Sequence, residues 1–134
     1  MLDITFHLKK LYPGAIKKWN MEPGKFTGEI RERLIVDALQ TYVELFTNTQ
    51  ISEATDPHWV EALNFFQALD EKKQNQFFSI LRQISVDTVS EFLSILDGLT
   101  LLNSQNSEFV LKEKGDEKII NGDLQDLFLQ LEGI

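Results

Sequence analysis

Apolar residues recur along most of this chain at the three- and four-residue spacing of a helix, interrupted by short polar clusters. From about Thr27 to Thr47 the stripe is Ile30, Leu34, Ala38, Tyr42, Val43 and Phe46, with Glu29, Arg33, Asp37, Gln40 and Glu44 opposite. Thr27 is a candidate N-cap, and Asn48-Thr49-Gln50 ends the pattern. Asp56-Pro57 opens the next helix with an Asp cap and a proline at the first helical position. Its stripe holds Trp59, Ala62, Leu63, Phe65, Phe66 and Leu69. Asp70 caps a third helix through about Ile84, built on Phe77, Phe78, Leu81 and Ile84. Ser85 or Asp87 caps a fourth, which ends near Asp97 with Gly98 as its stop. Val86, Val89, Phe92, Leu93 and Leu96 form its core side; Asp87, Ser90, Glu91 and Ser94 form its outer side.

Beyond Gly98 the period changes. Residues 103–107 are a polar loop, and the runs Glu108–Lys112 and Lys118–Ile120 flank Gly115-Asp116 as a short β-hairpin would. Gly122-Asp123 opens a last helix with Leu124, Leu127, Phe128 and Leu131 on one side, and Asp123 is its expected N-cap. Residues 1–26 are less regular. Ile4, Phe6 and Leu8 alternate, Pro13-Gly14 and Pro23-Gly24 are turn dipeptides, and Ala15, Ile16 and Trp19 suit a short helix. The expected fold is mainly α: one domain over 1–134, of about five helices and one β-hairpin near the C-terminus. It comprises a packed arm (1–26), a helical core (27–98), and the hairpin with the final helix (99–134). The similar segments 64–70, 76–82 and 91–97 are spaced too irregularly for a solenoid and read as core stripes.

Composition narrows the function. The 134 residues are 43% hydrophobic with ten phenylalanines, which is enough to fill a core. No run approaches the roughly 18 apolar residues of a membrane span. The first ten residues do not read as a secretory signal, and the absence of cysteine excludes disulfides and fits a cytoplasmic protein. Charge is lopsided: residues 1–33 hold seven basic and four acidic side chains (+3), and residues 34–134 hold six and seventeen (−11). An acidic body disfavours nucleic acid and favours a basic protein partner. The basic pairs Lys9–Lys10 and Lys17–Lys18 are too few to anchor a membrane.

Catalytic signals are sparse. His7 and His58 lack the spacing that places two metal ligands on one helical face, so neither a metal nor a cofactor is expected. His58 sits near a helix N-terminus, whose dipole opposes an imidazolium. No phosphate-binding glycine motif and no nucleophile elbow occurs. Asp87 and Glu91 stand one turn apart on an exposed face. Like charges there repel by roughly a few tenths of a kcal/mol, a cost that is either simply tolerable or offset by a basic partner. Trp19 and Trp59 suit either core positions or interface anchors.

The segments Val86-Asp-Thr-Val-Ser-Glu-Phe-Leu-Ser-Ile-Leu-Asp-Gly98, Glu108–Leu111 and Asn121-Gly-Asp-Leu-Gln-Asp-Leu-Phe-Leu129 resemble a module of small bacterial immunity proteins, which neutralise polymorphic or contact-dependent toxins. The resemblance covers about fifty residues and excludes residues 1–60. It implies a non-enzymatic, cytoplasmic inhibitor that docks an acidic surface on a basic toxin domain. Asp87, Glu91, Asp97, Asp116 and Glu117 are the candidate partner-binding residues. An adaptor or subunit of a larger cytoplasmic complex is the alternative, and an enzyme of unrecognised type is a third.

Overall fold

A computed structural model describes residues 20–54 and 56–134. The expectations for residues 1–19, including the alternating strand and the Trp19 helix, lie outside the described residues. The elements are α1 (Pro23–Arg31), a π-helical stretch (Glu32–Asp37), α2 (Ala38–Asn48), a 3-10 turn (Ile51–Glu53), α3 (Pro57–Gln67), α4 (Glu71–Leu96) and α5 (Leu124–Glu132).

The first rod starts earlier than its apolar stripe suggested. Pro23 occupies its first turn, where a missing N–H costs nothing. Pro23-Gly24 is therefore a helix start and not a turn, and Thr27 lies inside α1. Its buried hydroxyl donates to the Pro23 carbonyl at 2.6 Å. The wider π turn shifts the face as well. Ile35 is buried, whereas Leu34, the i+4 partner of Ile30 in a regular helix, is exposed.

Asp56 and Asp70 cap as expected, accepting from the backbone N–H of His58 and of Lys73, each at 2.9 Å. The expected third and fourth helices are one. α4 runs for 26 residues without a break. Its length at the usual helical rise is about 39 Å. Ser85 and Asp87 cap nothing. Ser85 instead bonds back to the Leu81 carbonyl, which a helix tolerates. Gly98 does end the helix, with φ of +78° and the Leu99 N–H returned to the Ser94 carbonyl.

The expected β-hairpin does not form: the described residues contain no β-strand. Ile120 donates to the Leu111 carbonyl at 2.8 Å, but the Leu111 N–H goes to the Asn121 side chain at 2.7 Å. That amide also donates to the carbonyls of Leu96 and Phe109, at 2.5 and 2.8 Å. One side chain thus takes the place of the ladder. Asp123 is not a side-chain cap either. Asp97 supplies that role from across the chain, satisfying N–H groups that a helix start leaves open. It accepts from the Gly122 N–H at 2.6 Å and from the Gln125 N–H at 2.8 Å.

Among the described residues, two apolar clusters result. Ile35, Val86, Val89, Leu93, Ile120, Leu124 and Phe128 form an aliphatic core where α4 meets the π-helical stretch and α5, with α1 packed on α5. Phe46, Leu63 and Phe66, with Trp59, Phe77 and Phe78 against them, form an aromatic core where α2, α3 and the start of α4 converge. Above the first, the Glu132 carboxylate is 3% exposed and accepts from Arg31 at 2.8 Å and Arg82 at 2.6 Å. Burial pushes its pKa up. The hydrogen bonds and charges of Arg82 and Arg31 outweigh that and hold it below the ordinary glutamate value.

Candidate protein-interaction surface

Because α4 is continuous, residues from its two expected halves share one outer face. At about 100° per residue, Ile80, Ile84, Asp87 and Glu91 fall within about 60° of one another. Ile80 is 50% exposed and Ile84 57%; Phe92, 56% exposed, lies further round the helix. Asp87 and Glu91 are exposed among them, and Asp87 accepts from Gln83 Nε2 at 2.8 Å. Among the described residues these carboxylates have no cationic partner, and large apolar side chains in water beside them match the composition of an interface with an apolar centre and a charged margin.

The expected partner-binding residues part ways. Asp87 and Glu91 are together on α4. Asp97 is half-buried, with both carboxylate oxygens committed to the start of α5. Asp116 accepts the Lys118 N–H at 3.0 Å and shapes the loop after Gly115. Glu117 pairs with Lys112 at 3.0 Å while remaining almost fully exposed, so the pair contributes little.

Ile80, Ile84 and Phe92 were missed as surface residues because each fits a core stripe when the helix is cut at Ser85. Another signal was legible but unused. Residues 34–71 contain no lysine or arginine against seven carboxylates, and residues 83–111 contain none against four.

Two grooves flank Trp59, whose ring lies 6.4 Å from Tyr42 and 5.8 Å from Phe46. One, of about 300 Å³, lies toward Leu45, Ala54 and Leu63. The other, of about 330 Å³, lies between α2, α3 and α4 and reaches Ile84, so it opens onto the acidic face. His58 is at its edge, with its ring 5.9 Å from Trp59. Among the described residues, no group of three or more His, Asp or Glu side chains is placed to hold a metal ion. No helix among them is long and apolar enough to cross a membrane. Comparison with family models, curated proteins and solved structures found no match.

Proposed function

We propose that this chain is a non-enzymatic protein-binding module, an immunity protein that neutralises a cognate toxin by setting the acidic face of α4 on a basic toxin domain. The observation that carries the reading is the placement of exposed Asp87 and Glu91 on one face of α4 with exposed Ile84, in a stretch without a single lysine or arginine. The carboxylates speed encounter with a basic surface, and the apolar side chains hold the complex once formed. A toxin that acts on nucleic acid has a basic substrate groove, which such a face can cover.

Capture with the wild-type chain, and in parallel with an Asp87→Lys/Glu91→Lys variant, isolates the partner that depends on this face. That partner is then expressed alone, with the wild-type chain, and with the variant. Lethality relieved by the wild type is the expected result. The variant should associate roughly tenfold more slowly at low salt and protect poorly. A partner harmless on its own, or equal protection by the variant, would end the toxin reading.

An adaptor or subunit of a larger complex is the second reading. The exposed Leu99, Leu101 and Val110 in the loop after α4 favour it, since a permanent neighbour would cover them. It requires a stoichiometric partner that is not toxic.

A further inference from the structure

The groove between α2, α3 and α4 combines an apolar floor with helices that carry exposed carboxylates and few bases. Tyr42, Trp59, Phe77, Leu81 and Ile84 line it, and its volume is about 330 Å³. That is room for apolar side chains rather than for a large cofactor. Tyr42 is 45% exposed and Ile84 57%, so both present apolar surface at its lips. The exposed carboxylates on α3 and α4 include Glu61, Asp87 and Glu91. Neither α2 nor α3 contains a lysine or arginine. On α4, Arg82 is engaged by Glu132, and Lys72 and Lys73 stand in the first turn beside Asp70 and Glu71.

We infer that this groove is the docking site for a cationic amphipathic helix of the partner, with the helix's apolar residues in the groove and its lysines or arginines on the surrounding carboxylates. The inference rests on the protein-binding reading above and names the chemistry the partner offers. Three helical walls over an apolar trough suit the helix-in-groove mode, in which residues at i, i+3, i+4 and i+7 supply the anchors. Charge selects among occupants. A second copy seated through its own α4 face would bring Asp87 and Glu91 against the same carboxylates, and like charges across an interface are costly. An anionic membrane or nucleic acid is repelled for the same reason.

The probe is a leucine–lysine peptide of about 18 residues, roughly five turns of helix, with leucine at helical spacing. Its controls are a scrambled peptide of the same composition and a leucine–glutamate version. The full chain carries Trp19→Phe, which leaves Trp59 as its single tryptophan and reports on the groove. Saturable change in Trp59 emission with the leucine–lysine peptide is expected, weakening as salt rises. The scrambled and glutamate peptides should bind more weakly by roughly tenfold or more. Ile84→Asp, a surface change checked by circular dichroism, should weaken binding roughly tenfold or more.

Equal binding of the scrambled peptide, an unresponsive Trp59, or indifference to Ile84→Asp would overturn the inference. So would a dimer seen by light scattering that Ile84→Asp dissociates, because the occupant would then be a second copy. Peptide binding in a protein whose captured partner is not toxic would leave the groove assignment standing and remove the toxin reading. Toxin protection without peptide binding would do the reverse.

Discussion

The two cores of this protein are closed in different ways. Around the aliphatic core, polar side chains tie separate elements together. Glu132 joins α5 to Arg31 of α1 and Arg82 of α4, Asn121 holds the loop to the end of α4, and Asp97 caps α5. The Ser94 and Thr100 hydroxyls meet at 2.8 Å beneath the turn. Around the aromatic core, the rings of Phe46, Phe66, Phe77 and Phe78 pack at centroid distances of 5.1 to 6.3 Å. A polar link there is the bond from Gln74 Nε2 to the Phe66 carbonyl, at 3.3 Å. Directional bonds with buried partners fix one geometry, because each broken bond strands a desolvated group. Ring contacts are weaker and tolerate several tilts, and they leave grooves beside Trp59. The pinned end sets the direction of α4, and the aromatic end leaves the side chains around Trp59 more room to repack.

Cavity-forming substitutions should separate the ends most strongly. Phe128 is fully buried among aliphatic side chains held by the polar ties. Phe128→Ala is therefore expected to cost about 3–5 kcal/mol. Phe66→Ala should cost less, about 2–3 kcal/mol, because neighbouring rings can tilt into the space. Urea unfolding monitored by circular dichroism measures both, and equal losses would break the comparison.

Glu132→Gln should come next, at about 2 kcal/mol at neutral pH, with Arg31 and Arg82 partly solvated and able to recover some hydration. The sign of its pH dependence follows from the lowered pKa. The unfolded state binds the proton more readily, so the carboxylate's contribution is complete above the ordinary value of about 4.3. It is lost as the pH falls through the lower folded value. Wild type and Glu132→Gln should therefore converge in stability on acidification, and a constant gap down to strongly acidic pH would refute the ionic account.

The Asn121 side chain makes three bonds at a partly solvated site. Asn121→Ala should have the smallest effect on global stability, about 1–2 kcal/mol. Its local effect is larger. Amide exchange at Leu111 should accelerate markedly while amides of α3 are unchanged. Acceleration at both ends alike would mean that the two cores unfold as one unit.

Local chemistry explains which features were legible beforehand. Asp56-Pro57, Asp70 and Gly98 act through neighbours within a turn, so sequence spacing is sufficient to place those helix ends. The mainly helical character, the acidic body and the exposure of Asp87 and Glu91 follow in the same way from periodicity and counting. Register over longer distances does not. A short π turn moved Ile35 inward and Leu34 outward, and the periodic pattern cannot announce it. Val86 and Val89 support a helix whether or not it continues through Ser85, and burial against the π-helical stretch and α5 keeps α4 whole. The runs Glu108–Lys112 and Lys118–Ile120 about Gly115-Asp116 suit a hairpin, but the Asn121 amide oxygen took the Leu111 N–H instead. Asp97 was legible as an acid but not as the cap of a helix that starts only at Leu124. Such roles depend on which distant backbone groups are left without partners, and those are created only when the elements pack.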